Sequence, residues 1–407
     1  MSKNNENKLI PTLRFPEFLK LEGWIDTELG YVAEFINGRA YKQEELLDKG
    51  KYKVLRVGNF FTNNSWYYSD LELEPEKYCD YGDLLYAWSA SFGPRIWTGD
   101  KTIYHYHIWK VINNKNIDKQ FLYVLLGHQT EKMKSQSANG FALLHITKGT
   151  IEKWKCSIPK SEKEQQKIAA CLSSLDEVIT AESEKLEILK DYKNGLLQNL
   201  LPQSGETVPK FRFKEFEDSS DWVETTLTQV ADYENGKAHE QDISDDGKFI
   251  VVNSKFISQD GEVKKFTNTA FLPATKGDVL MVLSDIPNGK AIAKSFLVEE
   301  DNRYTVNQRI CRITPRNVNS KILYYLLNRN PYFLAFDDGV KQTNLRKDDV
   351  LNCPLLIPSD PNEQDKIADT LSSVDELINA QNQKLEALQL HKKGLLQGLF
   401  PSINNEE

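Results

Sequence analysis

The chain has 407 residues, 40% hydrophobic and 27% charged, an ordinary globular composition with room for two to four domains of roughly 100–200 residues. Its 59 acidic and 51 basic residues leave a net charge of -8, which excludes a uniformly basic nucleic-acid coat but not a local basic face, because phosphates sense nearby charge. The polar start, the absence of any run of ~18 apolar residues, and five scattered cysteines without a CxxC pair give no support to a leader, a membrane span, a zinc site or a disulfide framework; a cytoplasmic location fits.

In chain order, the first informative segment is 11–40, PTLRFPEFLKLEGWIDTELGYVAEFINGRA. It returns at 209–238 as PKFRFKEFEDSSDWVETTLTQVADYENGKA, offset by 198 without a gap and with 13 of 30 positions identical. Arg14, Phe15, Glu17, Phe18 and Trp24 match Arg212, Phe213, Glu215, Phe216 and Trp222. A mixed block follows. Runs 52–57 and 83–88 read as strands, and 121–127 reads as a short helix. In the second half 277–282 and 322–328 read the same way, with Asn-Gly and Asp-Gly turns between elements.

Residues 164–202 and 363–401 form a second repeat, offset by 199, with 23 of 39 positions identical. Ile168, Leu172, Leu175, Ile179, Leu186, Leu189, Leu196 and Leu200 recur at spacings of three, four or seven. Ile367, Leu371, Val374, Ile378, Leu385, Leu388, Leu395 and Leu399 repeat the stripe, which predicts two long helices with coiled-coil seams. Ser161 with Glu164 has capping-box spacing, Asp360, Pro361 and Glu363 open the second helix, and Pro202 and Pro401 close them. A lone helix with one apolar seam has nowhere to bury it, whereas two copies can bury each other's.

The predicted organisation is therefore α+β: two alike mixed domains and two long helices, which, paired antiparallel as a coiled coil, would relate the domains by a pseudo-two-fold. The boundaries are 1–160, helix 161–202, 203–358, helix 359–401 and a polar tail 402–407. Residues 1–160 carry 22 basic and 19 acidic residues, 201–358 carry 20 and 23, and each helical segment has a net charge of -3. Phosphate contacts are thus expected on the domains rather than the helices.

Enzymatic signatures are missing. No Walker-type phosphate loop, HExxH or GxSxG occurs. His105 and His107 alternate as on one strand face, without an evident third metal ligand. Asn330-Pro331-Tyr332-Phe333 loosely resembles the loop with which amino-methyltransferases hold a flipped adenine, but it lacks a second proline and reads as a helix-ending turn. Asp360, Glu363 and Lys366 mimic a nuclease triad and read instead as capping residues.

The helical blocks are more specific. Glu164-Gln165, Lys167-Ile168-Ala169, Leu172-Ser173-Ser174, Asp176-Glu177, Lys185-Leu186-Glu187, Gly195-Leu196-Leu197-Gln198 and Pro202 recur in the second copy, each block following an Ile-Pro pair (Ile158-Pro159 and Ile357-Pro358). Together with the Arg-Phe-x-Glu-Phe segment and its tryptophan, they resemble the conserved regions of the specificity (S) subunit of Type I restriction–modification systems. The resemblance implies a non-catalytic chain in which each domain is a target recognition domain for half of a split DNA site. The helices would set the spacing and dock two methyltransferase (M) subunits, with two restriction/translocase (R) subunits completing the enzyme. It also implies that S-adenosylmethionine, ATP and Mg serve those partners, and that this chain binds no cofactor.

Elementary geometry agrees. Two alike units match the approximate two-fold symmetry of duplex DNA, and diverged units imply an asymmetric bipartite site with an unread spacer. One extra heptad in both helices adds about 10 Å, roughly three base-pair steps. Because 11–24 repeats as 209–222 just after the first helix, the N-terminal segment should sit where the second helix ends. A permutant opened near residue 205 should fold.

Base edges require Arg, Lys, Asn, Gln, Ser or Thr side chains, while phosphates accept most cations. The richest cluster is Lys341, Gln342, Thr343, Asn344, Arg346 and Lys347. Its first-half partner, more apolar, offers His145, Thr147 and Lys148. Arg39 and Lys237, in matched Asn-Gly loops, come next; their plain reading is a tight turn. Asn307, Gln308 and Arg309, with Asn253 and Lys255, follow, and Arg56, Asn59 and Arg95 are taken as their first-half counterparts. Gly195 and Gly394, matched inside the helices, are open to three readings: a bend, a close helix approach or a docking site. A free-standing adenine DNA methyltransferase and a coiled-coil scaffold that never meets DNA are the competing functions; a missing cofactor loop opposes the first, and salt-dependent DNA retention would exclude the second.

Overall fold

A computed structural model describes residues 9–61, 63–89, 91–137, 146–203, 205–286 and 289–401. It divides into two compact units. One contains the described residues up to Ser183 and those from Gln383 onward; the other is Glu184–Asn382. Each long helix thus gives one half to each unit.

Both units are α+β and repeat one topology, including the stretches where the sequence aligns only in fragments. In the first unit, Ala33–Asn37, Ile108–Asn113, Leu84–Ser89 and Ser91–Ile96 form an antiparallel sheet in that order. A second sheet orders Tyr67–Ser69, Tyr52–Leu55, Thr102–Tyr104 and Tyr78–Cys79, with Tyr52–Leu55 parallel to Thr102–Tyr104. The other unit repeats both sheets: Ala231–Asn235, Ile310–Pro315, Val279–Val282 and Ser295–Leu297, then Phe266–Thr267, Phe249–Val252, Tyr304–Val306 and Pro273–Ala274. The apolar runs at 84–89 and 279–282 are almost wholly buried because their sheets are covered on both faces. The short helix expected at 121–127 extends over Lys119–Ser137, whereas its counterpart covers Ser320–Leu327.

The long helices span Glu162–Leu200 and Pro361–Leu399, each 39 residues. Every residue of the two predicted stripes is buried or half-buried. Within the first unit, Asp176 pairs with Lys392 and Glu182 with Lys384. Within the second, Lys193 pairs with Asp375 at 2.5 Å, and Leu200 shares a core with Ile367 and Leu371. In each unit one number rises as the other falls, so the helices run antiparallel. Their ends enter the domain cores: Ile168, Leu172, Leu399 and Phe400 join Trp24 and Phe121 in one, while Leu200, Ile367 and Leu371 join Trp222 and Ile322 in the other.

The helix starts correct the capping-box expectation. Glu164 is 1% exposed, and its carboxylate accepts the Arg14 guanidinium through Nε and Nη2, both at 2.8 Å, and the Trp24 indole N–H at 3.2 Å. Arg212, Glu363 and Trp222 repeat this clamp at 2.7, 2.7 and 3.4 Å. A bidentate guanidinium is a stronger partner for a buried carboxylate than a backbone amide, so the caps fall to Ser161 and Asp360. The pairing also removes Glu363 from any nuclease-like triad.

The expected place of the N-terminal segment is met: Leu13 N–H donates to the Gly398 carbonyl at 2.8 Å, as Phe211 N–H does to Asn199 at 2.9 Å. Gly195 and Gly394 do not mark a close helix approach, since a Cβ at either would meet nothing within 4 Å. His105 and His107 are not on a strand; they lie in the turn after Thr102–Tyr104. Asn330 begins a helix rather than ending one: its side chain caps Pro331–Leu334 by accepting from Tyr332 N–H at 2.9 Å.

Candidate nucleic-acid interface

In the second unit three loops meet. The turn after Tyr304–Val306 carries Asn307, Gln308 and Arg309. Beside it runs Asn235-Gly236-Lys237, held by Gly236 N–H to Ile310 O at 2.8 Å and Lys237 N–H to Val306 O at 3.0 Å. A Cβ on Gly236 would overlap the Asn307 carbonyl, and one on Gly38 would overlap the carbonyls of Tyr104 and His105. Close approach to the turn therefore explains why this glycine appears in both halves. The third loop pairs Thr343–Asn344 antiparallel with Ser284–Asp285.

A cleft of about 440 Å³ opens between the first and third of these loops, lined by Leu283, Ser284, Gln308, Arg309, Gln342, Asn344 and Leu345. Gln342 donates to Ser284 Oγ at 2.6 Å and Asn344 Oδ1 at 3.3 Å. Gln308 donates to Glu240 at 3.2 Å. Lys237, Lys255, Lys341, Arg346 and Lys347 are exposed. The lining offers amides, a guanidinium and a hydroxyl, which bind base edges, and carries no carboxylate, thiol or imidazole for acid–base or nucleophilic work. Among the described residues, no group of three His, Cys, Asp or Glu could hold a metal. Burial pushes the thiols of Cys79, Cys156, Cys311 and Cys353 up to about 12, so they act as apolar fillers.

Several candidates are engaged within the fold. Thr343 is 6% exposed and donates to Asp337 at 3.1 Å. Asn307 is 8% exposed and donates to Glu240 at 3.4 Å. Asn253 caps Ser254–Ser258, and Thr147 caps Lys148–Glu152. Asn59 holds a turn through the carbonyls of Asn63 and Ser65. Arg39 is clamped by Glu45 at 2.6 and 2.9 Å, which, with the Lys42 backbone N–H, holds that carboxyl down at about 2. Arg95 donates to the Phe60 carbonyl. Lys148 pairs with Glu152 at 3.6 Å, and exposed Arg56 lies over the Tyr67 ring at 4.9 Å. His145 lies outside the described residues.

The structure also changes one correspondence. Arg56 is the counterpart of Asn253, because Leu55 and Val252 both pair beside the second strand, but Asn59 and Arg95 are not counterparts of the Asn307 turn. That place belongs to His105-Tyr106-His107. His105 N–H donates to Leu55 O at 2.9 Å as Asn307 N–H donates to Val252 O at 3.0 Å. The two triplets share no residue, so alignment had no foothold there. The Arg14–Trp24–Glu164 clamp was also missed as a unit, though all three residues are identical in both halves.

Residues 21–191 and 219–390 match the Type I restriction modification DNA specificity domain. The chain is 26% identical over 334 residues to the Type I restriction enzyme MjaVIII specificity subunit of Methanocaldococcus jannaschii, covering 77% of each. The crystal structure of an S subunit from M. genitalium superposes with a TM-score of 0.65 at 16% identity, over 97% of this chain and 100% of that one. A structure described as bearing on complex assembly and conformational transition of the type I R-M system gives 0.53 at 16% identity, over 93% and 98%.

Proposed function

The chain belongs to the Type I restriction–modification DNA specificity family, with two recognition domains, and from that premise we propose that it reads an asymmetric bipartite DNA site, one half-site per domain. The observation that carries this reading is the second-unit cleft, where Gln308, Arg309, Gln342 and Asn344 converge from two loops distant in sequence. Their side chains suit purine edges in the major groove, and exposed Lys237, Lys255, Lys341, Arg346 and Lys347 around them suit phosphates. Arg56 and Lys148 take the phosphate role in the first unit.

The chain itself is non-catalytic in this reading. Methyltransferase and translocase–nuclease subunits bring S-adenosylmethionine, ATP and Mg and carry out adenine methylation and cleavage in the cytoplasm. Two of each would complete the enzyme. The helices supply docking faces: Val178 and Leu377, at matched positions, are 44% and 55% exposed, and Ile188 and Leu390, at unmatched positions on the two helices, are 67% and 70% exposed. Exposed apolar side chains on helices whose seams are already filled fit a partner surface. Among the described residues no helix is long and apolar enough to cross a membrane.

Methylome sequencing of a host with and without the chain tests the proposal. The expected result is one bipartite motif that disappears on deletion; an unchanged methylome refutes it.

A further inference from the structure

The turn that brings Gln308 and Arg309 to the second-unit cleft exists in the first unit with different chemistry. Three matched pairs of hydrogen bonds fix the equivalence. Ile108 N–H donates to His105 O, and Ile310 N–H to Asn307 O, both at 2.9 Å. Trp88 N–H reaches His107 O at 3.1 Å where Leu283 N–H reaches Arg309 O at 2.9 Å. A later segment then returns on Trp88 and Leu283 alike, through Ile146 N–H at 3.1 Å and Leu345 N–H at 2.8 Å. Tyr106 therefore stands where Gln308 stands, His107 where Arg309 stands, and Trp88 where Leu283 stands.

This place is an aromatic cluster. Tyr106 and His107 rings lie 3.9 Å apart, His105 and His107 4.9 Å, and Trp88 and His107 4.9 Å. The Trp88 indole N–H donates to the Tyr106 carbonyl at 2.8 Å, which holds the turn against the indole. Tyr106 is 38% exposed, and His105, His107 and Trp88 are half-buried. Burial first, then His107 and Arg56, pulls the His105 imidazole down to about 4, so it presents a neutral ring near neutral pH. Aromatic rings at a solvent-facing turn match the faces and methyl groups of bases.

Resting on the DNA-reading function above, we propose that His105, Tyr106 and His107, backed by Trp88, form the base-reading surface of the first domain. The two domains then differ in kind: the first reads through ring faces, ring edges and single imidazole hydrogen bonds, the second through amide and guanidinium pairs. The halves of the site follow different rules for this reason, although the scaffolds are the same.

The test selects bound duplexes from a randomised pool with the full chain, together with methyltransferase subunits where they co-purify. Tyr106→Ala and His107→Ala are expected to relax base preference roughly tenfold at positions in one half-site and leave the other intact. Arg309→Ala is expected to relax the other half. Tyr106→Phe keeps the ring and should keep the wild-type profile; a profile it loses as fully as Tyr106→Ala does assigns the preference to the hydroxyl and overturns the ring-based reading. Unaltered preference in both alanine variants, equal weakening on all sequences, or relaxation in the same half as Arg309→Ala overturns the assignment. A wild-type chain that selects no sequence at all refutes the DNA-reading function itself, a result visible before any variant is made.

Discussion

Replacing Arg14 with methionine removes the guanidinium that satisfies Glu164. The side chains of this pair are 3% and 1% exposed, and Arg14 also donates to the carbonyls of Leu21 and Glu22 at 3.2 and 2.9 Å. The hydrogen bonds that Arg14 donates to Glu164 outweigh the effect of burial and raise the Arg14 pKa, so the guanidinium stays charged. In Arg14→Met the carboxylate remains buried with the Trp24 N–H as its side-chain donor. Breaking one side of a buried pair destabilises by about 3–5 kcal/mol, whereas replacing both partners with apolar groups is close to neutral. For a unit near 200 residues, each kcal/mol lowers Tm by roughly 2–4 °C, so the first unit should melt roughly 6–20 °C lower. Adding Glu164→Leu should restore most of the loss. Calorimetry of the full chain gives the total, and hydrogen exchange over 162–175 against 361–374 shows which unit is affected. Arg212→Met should reverse that pattern. A loss below about 1 kcal/mol, or a double variant no more stable than the single one, would refute the clamp.

Three other outcomes follow. Burial holds His105 and His128, both in the first unit, down at about 4, below the ordinary imidazole value of about 6.5. The unfolded chain therefore binds the extra protons as pH falls from about 6.5 to about 4, and first-unit stability is lost across that window and regained above it; His105→Gln with His128→Gln should flatten the Tm profile, and an unchanged slope counts against the burial argument. Inserting one heptad into each helix at matched antiparallel levels, keeping partners such as Asp176 and Lys392 in register, should lengthen the unread spacer of the methylated motif by about three base pairs; an unchanged spacer means helix length does not set it. A circular permutant with its original ends linked and new ends near residue 205 should retain the wild-type circular dichroism spectrum and melting profile, because Leu13 already bonds Gly398; an unfolded product argues that the 200–210 connection is needed.

Two kinds of information were legible without coordinates. The repeats carried the duplicated plan, and the heptad stripes carried the long helices, because periodicity is a local consequence of backbone geometry. The place of the N-terminal segment followed from the repeat order alone. The polar triplet Asn307-Gln308-Arg309 and the loop 341–347 could be picked out by composition, but their convergence on one cleft depends on a strand pairing between Ser284–Asp285 and Thr343–Asn344, which no local pattern encodes. The same limit hid the role of Glu164. Its spacing from Ser161 signalled a cap, yet Arg14, 150 residues away, takes the carboxylate. It also hid the likeness of His105-Tyr106-His107 to Asn307-Gln308-Arg309, since backbone hydrogen bonds preserve a position after every side chain has changed. Sequence alone therefore determined the elements and their repetition, through local periodicity and identity; tertiary structure decided which polar groups meet, because that depends on pairings between distant segments.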